Sequence, residues 1–312
     1  MKNKILDILK GTLMGLDSTI PGFSMGTLAV LLNIYERMID AFSIVLKHPF
    51  KALKDMWALL LGFLIGLLLN ILTISYLLSH FPLQTVMFFV GLVIVSIPIT
   101  YKNQIHEKLK IRDFIAFFLS IGILVGLSLL TQGEVKEVSI APVFLIMMVL
   151  VGAIGSGTMI IPGVSGSLII LALGYYNAVM DILKNILLIF KASEIDGYIK
   201  YPISLLCFSI GLVLGIVFVS KLLKILFKKY PVTVYSSILG LLFGSPFAII
   251  YLTLSNEEYS QAINFSSPWL YIVSSLTLIL GGLFGIFVSK FDKVKDKNKE
   301  VEVETIENAR EE

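Results

Sequence analysis

"STIPGFSMGT" at residues 18–27 and "MIIPGVSGSL" at residues 159–168 decide how this chain is read. Each places a proline, glycines and hydroxyl residues inside a long apolar stretch. Proline removes a backbone donor and clashes with the preceding turn, and glycine admits dihedrals that other residues avoid. Each motif therefore breaks a helix. The surrounding chain reads as membrane protein. Aliphatic, aromatic and sulfur residues make up 56% of the 312 residues and charged ones only 15%, against about a quarter in soluble domains. The mean hydropathy is +0.90. Several apolar runs reach the roughly 20 residues that cross a bilayer as a helix, and the alternating pattern of a membrane β-barrel is not visible. In hydrocarbon a freed N–H or C=O costs several kcal/mol unless it finds a partner. Irregular backbone survives there only inside protein or beside a water-filled cavity.

The two breaks belong to a repeat. A shift of 141 residues pairs Ile20-Pro21-Gly22 with Ile161-Pro162-Gly163, Ser24 with Ser165, Leu32 with Leu173, Tyr35 with Tyr176 and Asp40 with Asp181. A shift of 149 pairs Gly62, Gly66, Pro82, Gly91 and Ser96 with Gly211, Gly215, Pro231, Gly240 and Ser245, and a shift of 159 pairs Gly122 and Gly126 with Gly281 and Gly285. The shared order with slowly growing offsets reads as duplication with small loop insertions. Each unit then holds one broken segment and three apolar helices, about 57–79, 83–101 and 113–130 in the first and about 202–224, 232–254 and 268–290 in the second. The G-x-x-x-G pairs in these helices read as sites of close helix packing.

Basic residues set the orientation. Lysines and arginine crowd 47–56, 101–112 and 221–229, whereas 131–139 and 254–267 are acid-rich. With the basic loops cytoplasmic, each broken segment must enter and leave on one side, and three crossings per unit place the two copies in opposite senses. The expected fold is an all-α polytopic membrane protein with an inverted-topology repeat, each unit a re-entrant broken-helix hairpin plus three transmembrane helices. It forms a single membrane domain over 1–292, with repeat one about 1–132 and repeat two about 142–292. A disordered, charged, cytoplasmic tail follows over 293–312, and the N-terminus is also cytoplasmic. Asp17 and Pro21 interrupt the apolar part of the N-terminal stretch, which reads as retained in the mature fold rather than as a cleaved signal.

A helix that restarts after a break presents free N–H groups and a partial positive charge. Gly22, Ser24, Gly26 and Thr27 in the first copy, and Gly163, Ser165, Gly166 and Ser167 in the second, would surround an anion with amide and hydroxyl donors, a chemistry suited to phosphate. Pro21 and Pro162 make the breaks. One such motif is as well explained by packing; two in symmetric positions favour a substrate site. Arg37 has two readings, a bidentate phosphate ligand or a side chain reaching the cytoplasmic surface. The second copy has Asn177 and Ala178 in place of Glu36 and Arg37. Asp17, read at membrane depth, is either functional or a helix cap; Asp17 and Glu36 are the candidates to bind a coupling H⁺ or Na⁺. No other cofactor is called for. His48, His80 and His106 are widely spaced near expected loops, Cys207 is alone in an apolar run, and no metal-site, P-loop or nucleophile-elbow spacing occurs. A net charge of +3 gives no case for nucleic acid.

"LMGLDSTIPGFSMGTLAVLLNIYERMI" and "IIPGVSGSLIILALGYY" resemble the two signatures of the bacterial polyprenyl-phosphate transporter (PopT-like) family, and the likeness runs through about residue 290. Pro21, Gly22, Ser24, Gly26, Thr27, Tyr35, Glu36 and Arg37 match the first signature, and Pro162, Gly163, Ser165, Gly166, Ser167, Gly174 and Tyr175 or Tyr176 the second. Met25 and Asn33 stand where the pattern has glycine, and its acidic residue falls at Ser18, one position after Asp17. The resemblance implies an inner-membrane flippase that returns undecaprenyl phosphate from the outer to the cytoplasmic leaflet for cell-envelope (peptidoglycan) synthesis. The alternatives are a phosphatase of lipid-carrier metabolism, an ion-coupled transporter of a small anion, and a scaffold without transport. The residues say nothing of oligomeric state.

Overall fold

The computed structural model describes residues 2–16, 24–129, 136–185 and 199–311. Among them there are helices and no strands: α1 (Lys2–Leu16), α2 (Met25–Leu31), α3 (Tyr35–Ile44), α4 (Pro49–Leu72), α5 (Ile74–His80), α6 (Pro82–Gln104), α7 (Ile111–Leu129), α8 (Pro142–Ile160), α9 (Gly166–Ala172), α10 (Tyr176–Asn185), α11 (Lys200–Lys229), α12 (Pro231–Ser255), α13 (Glu257–Gln261) and α14 (Pro268–Glu311). Seven are long and apolar enough to cross a membrane: α4, α6, α7, α8, α11, α12 and the Pro268–Ser289 part of α14. The protein is a multi-pass membrane protein. Its outer surface carries large apolar side chains in number, such as Leu68, Phe118, Leu206, Phe218 and Leu283, as a face turned to lipid requires.

Several boundaries differ from the sequence expectation. Residues 49–56 are the opening turns of α4, with Pro49 at its first position, where a loop was expected. Proline suits that position because its missing N–H would be unpaired there anyway. Residues 221–229 are likewise the last turns of α11. The expected helix 57–79 is instead α4 and α5, parted at Thr73. The α14 backbone is helical to Glu311; its last part carries lysines up to Lys299 and glutamates from Glu300 onward, both good helix formers.

Packing follows a simple scheme. α1 lies along α4 and α8 along α11, while α6 and α12 meet at the centre, with α14 on α6 and α7 on α12. Glycines bring the pairs close. A side chain at Gly62 or Gly66 would collide with the Ile8 or Thr12 carbonyl, and one at Gly211 or Gly215 with the Val149 or Ala153 carbonyl. Residue numbers rise together along both pairs, so α1 is parallel to α4 and α8 to α11. Gly281 faces Phe88 and Gly285 faces Leu92 and Val95, while Gly240 faces Phe117 and Gly244 faces Leu124, so α14 is parallel to α6 and α12 to α7. Gly122 and Gly126 break the expectation of close packing: among the described residues no atom lies within 4 Å of where a Cβ would stand on either.

The broken segments fold alike. α2 and α9 are both seven residues, α3 and α10 both ten. Each joint is a tight turn with one residue at positive φ, Asn33 at 52° and Gly174 at 79°. After it, Ile34 N–H bonds the Ala29 carbonyl and Tyr175 N–H the Ile170 carbonyl, at 2.9 and 3.1 Å. Asparagine is among the few non-glycine residues that tolerate this conformation, so Asn33 can stand at one joint where Gly174 stands at the other.

Candidate functional site

The two breaks meet. Ser24 adopts the extended conformation of an N-cap for α2, and its hydroxyl accepts from the Thr27 amide at 3.4 Å. The second break docks onto that cap: the Gly163 N–H bonds Ser24 Oγ at 3.0 Å and Thr27 Oγ1 at 2.8 Å. Ser24 Oγ in turn donates to the Ile161 carbonyl at 3.2 Å. The joint is close at Gly26, where a Cβ would come within 2.5 Å of the Ile160 oxygen and 2.9 Å of the Pro162 nitrogen. Ser24 and Thr27 are 4% and 1% exposed. Their hydroxyls therefore satisfy backbone groups that would otherwise be buried and unpaired.

A cavity of about 270 Å³ opens beside this joint. Ser24 and Met25 border it from α2, Ser165, Gly166 and Ser167 from the start of α9, and Ser156 and Met159 from α8. Phe63, Tyr176, Phe208 and Leu212 supply an apolar wall. Ser165 Oγ and Ser167 Oγ lie 2.8 Å apart, and Ser165 makes no capping bond to α9. Two hydroxyls joined only to each other have three lone pairs and one proton left to offer a guest. α9 doubles back along α8: Ile170 reaches Gly155, and Gly166 sits against Gly155 and Met159.

The expected site residues divide into groups. Ser24, Ser165, Gly166 and Ser167 line the cavity. Gly26, Thr27, Pro162 and Gly163 form the joint behind it rather than the lining. Asp17, Pro21 and Gly22 lie outside the described residues. Arg37 is not at the cavity: it pairs with Asp7 at 3.0 Å and donates to the Asp55 carbonyl, tying α3 to α1 and α4. Glu36 accepts from Tyr235 Oη of α12 at 2.5 Å, also away from the lining. Among the described residues no three His, Cys, Asp or Glu gather to hold a metal.

Sequence reasoning missed Ser156, Met159 and Phe208 in the wall. Ser156 donates to the Leu212 carbonyl at 2.9 Å, and the run of small residues "GAIGSG" over 152–157 was the signal for a helix approached closely on two sides. It also missed Lys10, 6% exposed, whose ammonium donates to the Leu32 carbonyl at 2.7 Å at the end of α2.

Seven helices long and apolar enough to cross a membrane, packed with the short pairs α2–α3 and α9–α10 beside a small cavity, define a polytopic membrane protein. The chain belongs to the VCA0040-like, undecaprenyl phosphate translocase-like family, which it matches over residues 14–265. That is a family of transporters, not of enzymes. Two relatives are each named a polyprenyl-phosphate transporter. One, from Staphylococcus aureus, is 28% identical over 254 residues, covering 79% of this chain and 86% of its own. The other, from Vibrio cholerae serotype O1, is 28% identical over 257 residues, covering 78% and 76%. No solved structure matches the chain.

Proposed function

We propose that this protein carries a polyprenyl phosphate, of the undecaprenyl type, from the outer to the cytoplasmic leaflet of the bacterial inner membrane. The observation that carries the reading is the meeting of the two breaks at one hydroxyl-lined cavity. A phosphate stripped of water in hydrocarbon is costly, and donors fixed at the meeting point would replace its hydration. The serine pair Ser165 and Ser167, with Ser24 opposite, is the proposed contact. The apolar wall of Phe63, Phe208 and Leu212 would lie along the first part of the prenyl tail, leaving the rest in lipid.

The inverted repeat is part of the proposal, and helix directions support it. α1 is parallel to α4, so the chain between them must run back towards the end from which α1 started; the same holds for α8 and α11. Consecutive spans joined by short connectors reverse direction. With α7 parallel to α12 and α6 to α14, α4 and α11 then point in opposite senses, as do the two units built on them. Two units related in this way can rock about a fixed site and expose it to each side in turn.

The seams around the cavity are unequal. α3 packs on α11, with Tyr35 edge-on to Phe227 and Phe227 edge-on to Tyr235. Lys224 meets Asp40 at 2.6 Å along the same seam. α10, the counterpart of α3, makes no comparable seam with α4 among the described residues. In this reading the α3 side is shut and the α10 side open, and transport requires the exchange. Glu36 would sit in the shut seam as the group that a coupling H⁺ or Na⁺ could address.

The test is uptake of undecaprenyl phosphate by vesicles reconstituted with purified protein. Intact protein should move the lipid between leaflets, and Ser165→Ala/Ser167→Ala should not. Equal rates in the two, with both folded, would remove the cavity from the mechanism.

A further inference from the structure

A second amphipathic site lies at the other end of α2, apart from the cavity just described. Between the α2–α3 turn, the last turns of α6 and α14 there is a cavity of about 330 Å³. Asn33, Thr100, Lys102, Asn103, Gln104 and His106 border it. The amide of Gln104 stands 3.5 Å from the Asn33 side-chain oxygen. Thr100 is 3% exposed, and its hydroxyl has no hydrogen-bond partner among the described residues, an arrangement that costs free energy unless something else supplies the bond. The central cavity has no Lys or Arg among its described lining residues; this one has Lys102 and His106.

Against it lies a second cavity of about 170 Å³ with a wholly apolar wall, including Leu13, Leu28, Phe88, Leu92 and Phe284. Leu31 borders both. On α14, Val288 borders the apolar cavity and the next residue, Ser289, the polar one. Along α6 the apolar part lies at Leu92 and the polar part at Thr100 to Gln104, about 12 Å or more of helix rise apart. Cationic and amide donors at a helix end, with a greasy slot running inward from them, fit an amphiphile with an anionic head and a hydrocarbon tail.

We propose that this pair of cavities is a second site for a prenyl-type lipid phosphate, with the phosphate against Lys102, His106 and the side-chain amides and the first part of the tail against Phe88, Leu92 and Phe284. The inference rests on the transport reading above and adds to it a station on the Lys-rich side, where the headgroup leaves or awaits the central cavity. A neutral lipid would leave the cationic end unused, and a free anion would leave the slot unused.

A photoreactive undecaprenyl phosphate, with its diazirine near the head end of the tail, can separate these outcomes in nanodiscs, with adducts mapped by mass spectrometry. Adducts are expected on α6 and α14 near Phe88 and Phe284, as well as at the central cavity near Met159 and Phe208. Lys102→Gln/His106→Gln replaces exposed side chains and should cut the α6 and α14 adducts about tenfold, the scale of one lost charge-assisted hydrogen bond, while central adducts persist. The matching prenol should label α6 and α14 weakly. Inorganic phosphate alone should not protect Lys102 from acylation at concentrations where the lipid phosphate does. Adducts confined to the central cavity would overturn this site and leave the transport reading standing. Adducts confined to α6 and α14 would keep this lipid site and remove the central cavity, and with it this site's role as a station beside that cavity. Equal labelling by the prenol, indifference to the double variant, or protection of Lys102 by inorganic phosphate alone would each overturn the lipid-phosphate assignment.

Discussion

At Ser24 the hydroxyl is already engaged: it accepts from the Thr27 and Gly163 amides and donates to the Ile161 carbonyl. At Ser165, the matching position of the other copy, the hydroxyl meets only Ser167. Both serines border the cavity, but the Ser24 hydroxyl is taken up by backbone groups and the Ser165 hydroxyl is not. Ser24→Ala should therefore lower stability by about 1 kcal/mol, the usual cost of losing an N-cap, visible in thermal unfolding in detergent. Ser165→Ala/Ser167→Ala should leave unfolding within about 0.5 kcal/mol of the parent and yet abolish vesicle transport. Gly26→Ala should cost roughly 1–3 kcal/mol through overpacking, because its new methyl would press on the backbone of Ile160 and Pro162. The identity of these residues was legible in the sequence because Pro-Gly and hydroxyl residues have no cheap place in a membrane helix. Their division of labour was not, since it depends on which hydroxyl the opposite tip reaches. Arg37 shows the same limit. Arg37 pairs with the buried Asp7 within α1, and nothing in the order of residues reveals that Asp7 lies one helix away.

At the scale of elements, glycine spacing was a sound guide to some interfaces and a false one to another. Gly62 and Gly122 both begin a G-x-x-x-G pair, but α1 lies against the first and no described atom lies near the second. Gly62→Leu should prevent α1 from docking on α4 and cause loss of folded protein, whereas Gly122→Leu should be recovered and unfold like the parent; fluorescence-detected size exclusion would report both. Periodicity cannot make this distinction, because a lipid-facing stripe and a protein-facing stripe are equally apolar. The α3–α11 seam allows a second test. With Cys207→Ser as background, Asp40→Cys and Lys224→Cys place thiols at the ends of the Lys224–Asp40 contact. A short bifunctional thiol reagent that links them should stop transport if this seam must open in each cycle, while either single variant treated the same way should keep its rate. Undiminished transport by the linked protein would mean that the route lies elsewhere.

At the scale of the whole molecule, the proposed inverted arrangement makes a prediction about which face the lysines share. The opening turns of α4, the turn from α6 to α7 and the turn from α11 to α12 gather Lys47, Lys51, Lys54, Lys102, Lys108, Lys110, Arg112, Lys221, Lys224, Lys228 and Lys229. If α4 and α11 are antipodal, as the parallel pairing of α1 with α4 and α8 with α11 requires in an inverted repeat, the start of α4 and the end of α11 share one face. The charge count puts them on one face too, and the salt contact of Lys224 with Asp40 ties the end of α11 to α3, the element that precedes α4. In the orientation proposed from the positive-inside rule, that face is the cytoplasmic one. The acidic element α13, with Glu257, lies on the connection from α12 to α14, which the proposed arrangement puts on the opposite face. In the Cys207→Ser background, an impermeant thiol reagent applied to intact cells should label Glu257→Cys and leave Lys51→Cys untouched until the membrane is opened. The reverse pattern would invert the molecule and with it the assigned direction of lipid movement. Labelling of both from outside would break the shared face on which the inverted repeat depends.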